Sequence, residues 1–282
     1  MPILLSLSSH AGRLWGAGPE GLYRIEDGGL QPVPQPHQFP TCCLAVEDRL
    51  LVGGAPLGVT FSLDEGANWQ ASWMDYLDAR VVALAADPRV QETGVLLAGT
   101  EGGGVLRSSD RGRSWTPANV GLRDYQVLAL AWASPAPPAA WPAWEVVFAG
   151  CEDGVYRSPN GGRAWKRSEG VLGVVLCIAA APDFHRSGVV LAGTEDAGLW
   201  RSTDGGHCFA PVTGAPQSIN ALAVNGDGWL LSDSECLWRS PDGLAWERVP
   251  GSAPSLALLA TAEGVLAAHE DGVTLIADTE FL

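Results

Sequence analysis

The sequence is poor in positive charge. Its 282 residues carry 17 lysines and arginines against 32 aspartates and glutamates, a net charge of −15. A protein that binds nucleic acid or an anionic membrane needs basic residues gathered on one surface. Here 16 of the cations are arginine, and five recur at one position of an internal repeat: Arg24, Arg107, Arg157, Arg201 and Arg239. Because they are spread along the repeat, we expect neither nucleic acid nor a membrane surface as a partner.

Long apolar runs are also missing. No segment approaches the roughly 18 apolar residues of a membrane-spanning helix. Residues 1–7 lack the positive charge and the length of a secretory signal, and they align with the first strand of later repeats, such as residues 81–84. We therefore predict a strand at this end of the chain, no membrane insertion and a cytoplasmic location.

The six cysteines show no metal-ligand spacing and no disulfide framework. Cys42 and Cys43 are adjacent, the other four are far apart, and the histidines do not cluster near them in sequence. Free thiols in a reducing compartment are the simplest interpretation. We expect no metal site and no cofactor.

The sequence does contain one short phrase seven times. The phrase is a small residue, an apolar residue, a variable residue and then Arg-Ser. Its clear copies begin at Gly104, Gly154, Gly198 and Cys236, and its weaker copies begin at Gly21, Gly58 and Gly272. The starts are 37, 46, 50, 44, 38 and 36 residues apart. A period of about 40 residues is typical of propellers and repeat arrays.

Five copies continue into a longer pattern, Ser-x-Asp-x-Gly-x-x-Trp. We call these segments the serine–aspartate turns: residues 62–69, 108–115, 158–165, 202–209 and 240–246, of which the last is one residue shorter. An aspartate can accept hydrogen bonds from its own turn, and glycine permits the positive φ of a tight reversal. We therefore predict structural roles for Asp64, Asp110, Asn160, Asp204 and Asp242, and for the aromatic residues Trp69, Trp115, Trp165, Phe209 and Trp246, which return to the apolar layer between blades.

This pattern resembles the Asp-box (BNR) repeat of sialidases, xyloglucan-cleaving hydrolases, sortilin-type receptors and photosystem assembly factors. The resemblance extends over nearly the whole chain. It implies a β-propeller in which the boxes lie on the face away from the active site and hold the propeller together.

Alternation and turn residues predict four strands in each repeat. The second repeat is expected to form strands at 42–46, 49–52, 58–62 and 68–72, and the third at 81–85, 94–98, 104–108 and 114–117. The last outer strand is expected at 279–282. The fold prediction is all-β: residues 1–282 form a single domain, a seven-bladed β-propeller of four-stranded antiparallel blades. Six blades are the alternative, if the degenerate ends combine into one.

Opposite the serine–aspartate turns lie the loops between second and third strands and the links between blades. We call this side the linker face and the other side the turn face. Six copies of the phrase are preceded by a glutamate on the linker face: Glu20, Glu101, Glu152, Glu195, Glu235 and Glu270. In a closed propeller these carboxylates would surround the channel mouth and attract cations or a basic partner. They would equally suit tight, solvated turns.

Two aromatic segments are further candidate binding sites. Trp73 and Tyr76 lie in the link between the second and third blades, which places them on the linker face. Trp141 and Trp144 lie in a proline-rich insertion between the first two strands of the fourth blade, on the turn face or the rim. Exposed aromatics are favoured at interfaces, although the insertion could also be a rigid loop folded on its own blade.

The catalytic sets of the similar enzymes are incomplete. The sialidases require three arginines and a Tyr–Glu pair, whereas only Tyr76 and Tyr125 lie outside the repeated strand position and no third arginine accompanies them. The xyloglucan enzymes generally use two propellers face to face, whereas photosystem assembly factors are single propellers of similar length. We therefore predict a non-catalytic scaffold that binds another macromolecule, most simply a protein, through the linker face. The alternative is a glycan-binding or glycoside-hydrolase-like module that uses Trp73, Tyr76 and the acidic residues, and a third option is divalent-cation binding by the glutamates.

Overall fold

The computed structural model describes residues 2–26, 29–74, 79–135 and 145–277. It forms seven sheets of consecutive antiparallel strands, one of which gains a further short strand at its outer edge, and these sheets are the blades of a β-propeller. The predicted fold class is therefore confirmed, with seven blades rather than six. Within the described ranges no helix is long and apolar enough to cross a membrane.

The first three blades occupy residues 6–117. Blade 1 contains β1 (Ser6–His10), β2 (Arg13–Gly18), β3 (Gly21–Glu26) and β4 (Gly29–Val33). Blade 2 contains β5 (Phe39–Val46), β6 (Arg49–Ala55), β7 (Gly58–Ser62) and β8 (Gln70–Ala71). The short β9 (Trp73–Met74) pairs with the outer edge of the next sheet. Blade 3 contains β10 (Val81–Ala86), α1 (Val90–Thr93), β11 (Leu96–Thr100), β12 (Gly104–Ser108) and β13 (Ser114–Pro117).

The other four blades follow in the same order. Blade 4 contains β14 (Val127–Trp132), β15 (Val147–Cys151), β16 (Gly154–Ser158) and β17 (Lys166–Arg167). Blade 5 contains β18 (Val175–Ala180), α2 (Phe184–Ser187), β19 (Val190–Thr194), β20 (Leu199–Ser202) and β21 (Ala210–Pro211). Blade 6 contains β22 (Ala221–Val224), β23 (Trp229–Ser232), β24 (Leu237–Ser240) and β25 (Glu247–Arg248). Blade 7 contains β26 (Ala257–Thr261), β27 (Gly264–His269) and β28 (Gly272–Ala277).

The strand predictions are accurate in the middle of each blade and less so at its borders. β7, β12 and β13 have the predicted bounds. The second strand of blade 3 begins at Leu96 rather than at residue 94, because Gly94 has a φ of +66° and ends α1. The N-terminal strand is Ser6–His10, later than the expected stretch, and the strand expected at 279–282 lies outside the described residues.

Close approach between neighbouring blades requires glycine in the second strand. A Cβ atom on Gly99 would lie 2.8 Å from the carbonyl oxygen of Val127, and one on Gly193 would lie 2.5 Å from Ile219 Cγ2. Val127 and Ile219 begin or precede the inner strand of the following blade. Since real Cβ contacts are not this short, alanine at either position would push two blades apart.

The apolar core lies in layers between blades, and the aromatic residues of the serine–aspartate turns enter these layers. Trp115 is 1% exposed and packs with Leu51 of blade 2 and Leu96 of blade 3. Trp165 packs in the layer between blades 3 and 4, and Phe209 packs between blades 4 and 5. Burial of such large side chains holds each turn against the preceding blade.

Candidate interaction faces

The serine–aspartate turns are closed by one repeated set of hydrogen bonds. In blade 3, Ser108 Oγ donates to Asp110 Oδ1 at 2.8 Å and accepts from the Gly112 amide at 2.8 Å. Asp110 Oδ1 also accepts from the Ser114 amide at 2.9 Å. The same contacts recur in the turns that begin at Ser62, Ser158 and Ser202. These side chains satisfy the backbone of their own turn, which is a structural use of the carboxylate.

The ionised aspartates of these turns are stabilised by the donors around them. Hydrogen bonds from the Asn68 side chain, the Asn68 amide and Ser62 lower the pKa of Asp64. Burial acts to raise the pKa of Asp110, but hydrogen bonds from Ser114 and Ser108 outweigh it, so the pKa of Asp110 lies below its ordinary value. Asn160 makes the corresponding contacts in blade 4 without a charge.

An arginine of one blade bonds the turn of the next. Arg107 Nε donates to the Gly161 carbonyl at 3.0 Å, and Arg157 Nε donates to the Gly205 carbonyl at 2.7 Å. Both acceptors are the fourth residue of a serine–aspartate turn. Burial lowers the pKa of both guanidinium groups, so each hydrogen bond forms in a partly desolvated site where it is strong. We call these contacts the inter-blade arginine bonds.

Blade 2 makes the same bond with a different residue. Its copy of the phrase has Phe61 where five of the other six copies have arginine. Arg49, on the neighbouring strand β6, places its guanidinium carbon 5.3 Å from the centre of the Phe61 ring. Its Nη1 donates to the Arg111 carbonyl at 2.8 Å, which is again the fourth position of the next turn. The sequence analysis missed these bonds, although the recurring Arg-Ser pair was their signal.

The bond is missing between blades 5 and 6. The turn of blade 6 is one residue shorter than the others. Its serine, Ser240, accepts from the amide of Gly243, three residues later, whereas Ser108 accepts from the amide of Gly112, four residues later. The residue whose carbonyl would accept from Arg201 is therefore absent. Within the described residues Arg201 Nε is buried without a hydrogen-bond partner.

On the linker face, the six predicted glutamates are all exposed, and two of them form ion pairs. Glu101 lies 3.7 Å from Arg80, and Glu235 lies 3.0 Å from Arg248. The described part of the chain shows no ion pair for the other four, Glu20, Glu152, Glu195 and Glu270. No three His, Cys, Asp or Glu side chains of the described ranges come together as metal ligands.

Exposed apolar side chains concentrate on the linker face. Twelve large apolar side chains are exposed among the described residues, and seven of them lie on this face. They are found just before or at the start of an inner strand, or in a loop between second and third strands: Ile3, Leu5, Phe39, Leu57, Tyr125, Leu172 and Leu256. Leu172 is 64% exposed and Phe39 is 54% exposed. Only Leu63 and Leu244 project from the serine–aspartate turns. The linker face therefore combines apolar side chains with carboxylates.

A cleft of about 390 Å³ on the linker face of blade 6 is lined by Asp233, Glu235, Trp238 and Arg248, and its two carboxylates are both engaged by neighbouring groups. Asp233, which is 6% exposed, accepts from the Glu235 and Cys236 amides at 2.7 Å each and from Trp238 Nε1 at 2.7 Å. The Arg248 guanidinium lies 5.0 Å from the centre of the Trp238 ring. Both the carboxylate and the ring are thus occupied by neighbours within blade 6.

Trp73 lies at the outer rim rather than near the inner strands, which corrects its expected placement. Its amide donates to the Arg113 carbonyl at 2.8 Å, and it pairs with Ser114, near the end of the turn of blade 3. The chain leaves blade 2 at the end of β8 and reaches the outer edge of blade 3 as β9 before the link turns inward. Trp73 is 60% exposed. Tyr76, Trp141 and Trp144 lie outside the described residues.

The remaining reactive side chains are mostly buried. Tyr156 is fully buried and donates to Asp153 at 3.0 Å; burial, this hydrogen bond and the charge of Asp153 raise its pKa to about 12. All six cysteines are free thiols. Burial raises the pKa of Cys42 and Cys43, which disfavours the reactive thiolate.

Comparison with solved structures shows the fold and no more. The extracellular domain of BT4673 from B. thetaiotaomicron is similar, with a TM-score of 0.73 and 16% identity; the match covers 97% of this chain but 38% of that one. YCF48 bound to D1 peptide is similar with a TM-score of 0.68 and 16% identity, over 94% of this chain and 90% of that one. The designed Ika8 protein matches at a TM-score of 0.63 and 14% identity, over 98% and 96%. No protein-family model and no curated protein matches the chain.

Proposed function

We propose that this propeller binds another protein through its linker face and has no catalytic role. The observation that carries the proposal is the concentration of exposed apolar side chains on that face, interspersed with glutamates that have no ion-pair partner in the described residues. Apolar patches with a polar surround are typical of protein interfaces. YCF48, a propeller of similar fold, binds a D1 peptide, which supports a protein or peptide as the partner class.

The proposal includes the repeat type and the compartment. We assign the serine–aspartate turns to the Asp-box type, because Ser, Asp and Gly make the mutual hydrogen bonds described above, with Asn160 in place of Asp in blade 4. We assign the protein to the cytoplasm, where six unpaired cysteines remain reduced.

The glycan alternative is less well supported. Glycan sites need an open aromatic ring for stacking and, for hydrolysis, a pair of carboxyl groups at a defined separation. In the cleft of blade 6 the Trp238 ring faces Arg248, and the oxygens of Asp233 are engaged by its own turn.

The test is affinity capture from the native host, with bound proteins identified by mass. Tyr125→Ala combined with Leu172→Ser removes two exposed apolar side chains from the linker face. Leu63→Ser combined with Leu244→Ser removes two of similar exposure from the turn face and serves as the matched control. We expect a stoichiometric partner with the wild type and the control that is lost with the linker-face variant. A partner retained by the linker-face variant, or no partner and a positive glycan array, would contradict the proposal.

A further inference from the structure

Two clefts adjoin at the junction of blades 4 and 5, on either side of the Arg157 side chain. The first, of about 400 Å³, lies on the turn face between α2 and the turn at residues 202–209. The second, of about 420 Å³, lies at the rim between β17 and the same turn. Arg157, Asp204 and His207 line both of them. We call the two together the basic cleft.

The basic cleft has a positive balance in a chain whose net charge is −15. Its charged lining residues are four cations and two anions: Arg157, Lys166, Arg167 and Arg186 against Asp204 and Glu169. Arg167 is committed to Asp153, at 3.3 Å. Lys166, the single lysine of the chain, and Arg186 are exposed and have no ion pair within the described residues. Two exposed histidines, His185 and His207, add further donors.

The central cation is held in a fixed orientation. Arg157 uses Nε for its 2.7 Å bond to the Gly205 carbonyl, and no protein acceptor is found for its two Nη groups among the described residues. Its neighbour Asp204 uses Oδ1 to accept from Ser202 Oγ, from the His207 amide and from the Cys208 amide. The guanidinium therefore keeps donors available for an anion in the cleft.

The junction of blades 2 and 3 shows whether the additional cations around Arg157 are needed for its hydrogen bond between blades. Arg49 makes the same inter-blade bond there. Yet the positions that correspond to Lys166 and Arg167, directly after the turn tryptophan, are Gln70 and Ala71. The position in α1 that corresponds to Arg186 in α2 is Glu92. The extra cations are thus unnecessary for joining blades.

We propose that the basic cleft binds a small organic molecule that carries an oxyanion, either a phosphate or a carboxylate. Arg157 lies at the centre of the site, with Lys166 and Arg186 on its two sides. The cleft volumes match those of small-molecule sites, about 300–1,000 Å³. Guanidinium groups bind phosphate and carboxylate through paired N–H donors, and the ammonium of lysine adds a point charge.

Isothermal titration calorimetry of the full chain at low salt tests the proposal with three probes: inorganic phosphate, glycerol phosphate and succinate. We expect saturable binding of at least one probe, weakened by added salt. Lys166→Gln and Arg186→Gln should each weaken it about tenfold, the effect of one lost charge-assisted contact. Tighter binding of glycerol phosphate than of inorganic phosphate would identify an organic ester as the ligand class, and succinate alone would identify a carboxylate.

Arg123→Gln is the matched control, because Arg123 is an exposed arginine of the linker face and the substitution removes the same charge. Its affinity for the probe should equal that of the wild type, and all variants should melt as the wild type does. The proposal is overturned by an absence of saturable binding at millimolar concentrations, or by equal losses in the cleft variants and the control. It does not depend on the linker face, so the two proposals can fail separately.

Discussion

Between blades 2 and 5, a buried or half-buried arginine bonds the backbone of the next turn at every junction, whereas between blades 5 and 6 the Nε of the corresponding arginine has no acceptor among the described residues. The junction of blades 4 and 5 and the junction of blades 5 and 6 share the strand, the Arg-Ser pair and an aspartate in the receiving turn. They differ by one residue in the length of the receiving turn. The Nε of Arg24 also lacks a hydrogen-bond partner among the described residues, although the turn of blade 2 has its full length. The comparison shows that the fold persists at a junction without this bond, and that a full-length turn does not form the bond by itself.

The largest effect is expected at the serine of a complete turn. Ser108→Ala removes the acceptor of the buried Gly112 amide and a donor to Asp110. Unsatisfied buried groups cost about 1–3 kcal/mol each, so we expect a loss of about 3 kcal/mol and a melting temperature lower by several degrees. Ser109→Ala, at an exposed neighbour without described bonds, should change little. Equal melting of the two variants would refute a structural role for the turn.

The next effect compares the two arginines directly. Arg107→Ala removes a 3.0 Å charge-assisted bond to blade 4 and should cost about 2 kcal/mol. Arg201→Ala removes no such bond and should cost less than about 1 kcal/mol. The free energy of unfolding from urea titration checks both. A loss at Arg201 as large as that at Arg107 would show that packing, rather than the hydrogen bond, joins the blades.

A smaller gain is expected if the missing residue is restored. Insertion of one glycine between Asp242 and Gly243 gives the blade 6 turn its full length and offers Arg201 a carbonyl. One new hydrogen bond should add about 1 kcal/mol, which corresponds to a rise of about 2–4 °C in melting temperature. The same insertion in an Arg201→Met background should give no rise. If the rise occurs in both backgrounds, the arginine is not its cause.

The smallest expected effect is on how the stability of the protein declines at acidic pH. The pKa of Asp110 is lower in the folded chain than in the unfolded chain, so its stabilisation is present above the unfolded value of about 3.9. That stabilisation is lost as the pH falls through the folded pKa. Asp110→Asn should therefore flatten the decline in stability below about pH 4, and Asn160→Asp should steepen it. An unchanged pH profile in both variants would show that the charge on the turn does not matter.

The fold could be predicted because its signal is repeated and local. The seven copies of one phrase define the blades, and strands such as β7 and β12 follow from their alternation and flanking glycines. The predicted strand borders are less accurate where a turn or a short helix lies next to the strand. Gly94, in the left-handed conformation, ends α1, so β11 begins later than predicted. Asn68 is held by Asp64, which delays β8.

Candidate sites were harder to predict because they depend on which blade a link touches. Trp73 was expected on the linker face, but β9 pairs with the neighbouring blade and lies at the rim. The basic cleft joins Lys166 and Arg186, which are 20 residues apart in different blades. No local pattern connects them, since the cleft exists only after blades 4 and 5 have packed.

The shortened turn of blade 6 also affects where new chain ends can be placed in a circular permutant of the propeller. Every inter-blade arginine bond runs from one blade to its successor, so new chain ends between blades 3 and 4 leave that junction held by such a bond, whereas new ends between blades 5 and 6 leave a junction where the described residues show none. In a repeat protein, stability is close to a sum of nearest-neighbour terms. A circular permutant whose new ends lie in the link between β13 and β14 should therefore fold better than one whose ends lie between β21 and β22.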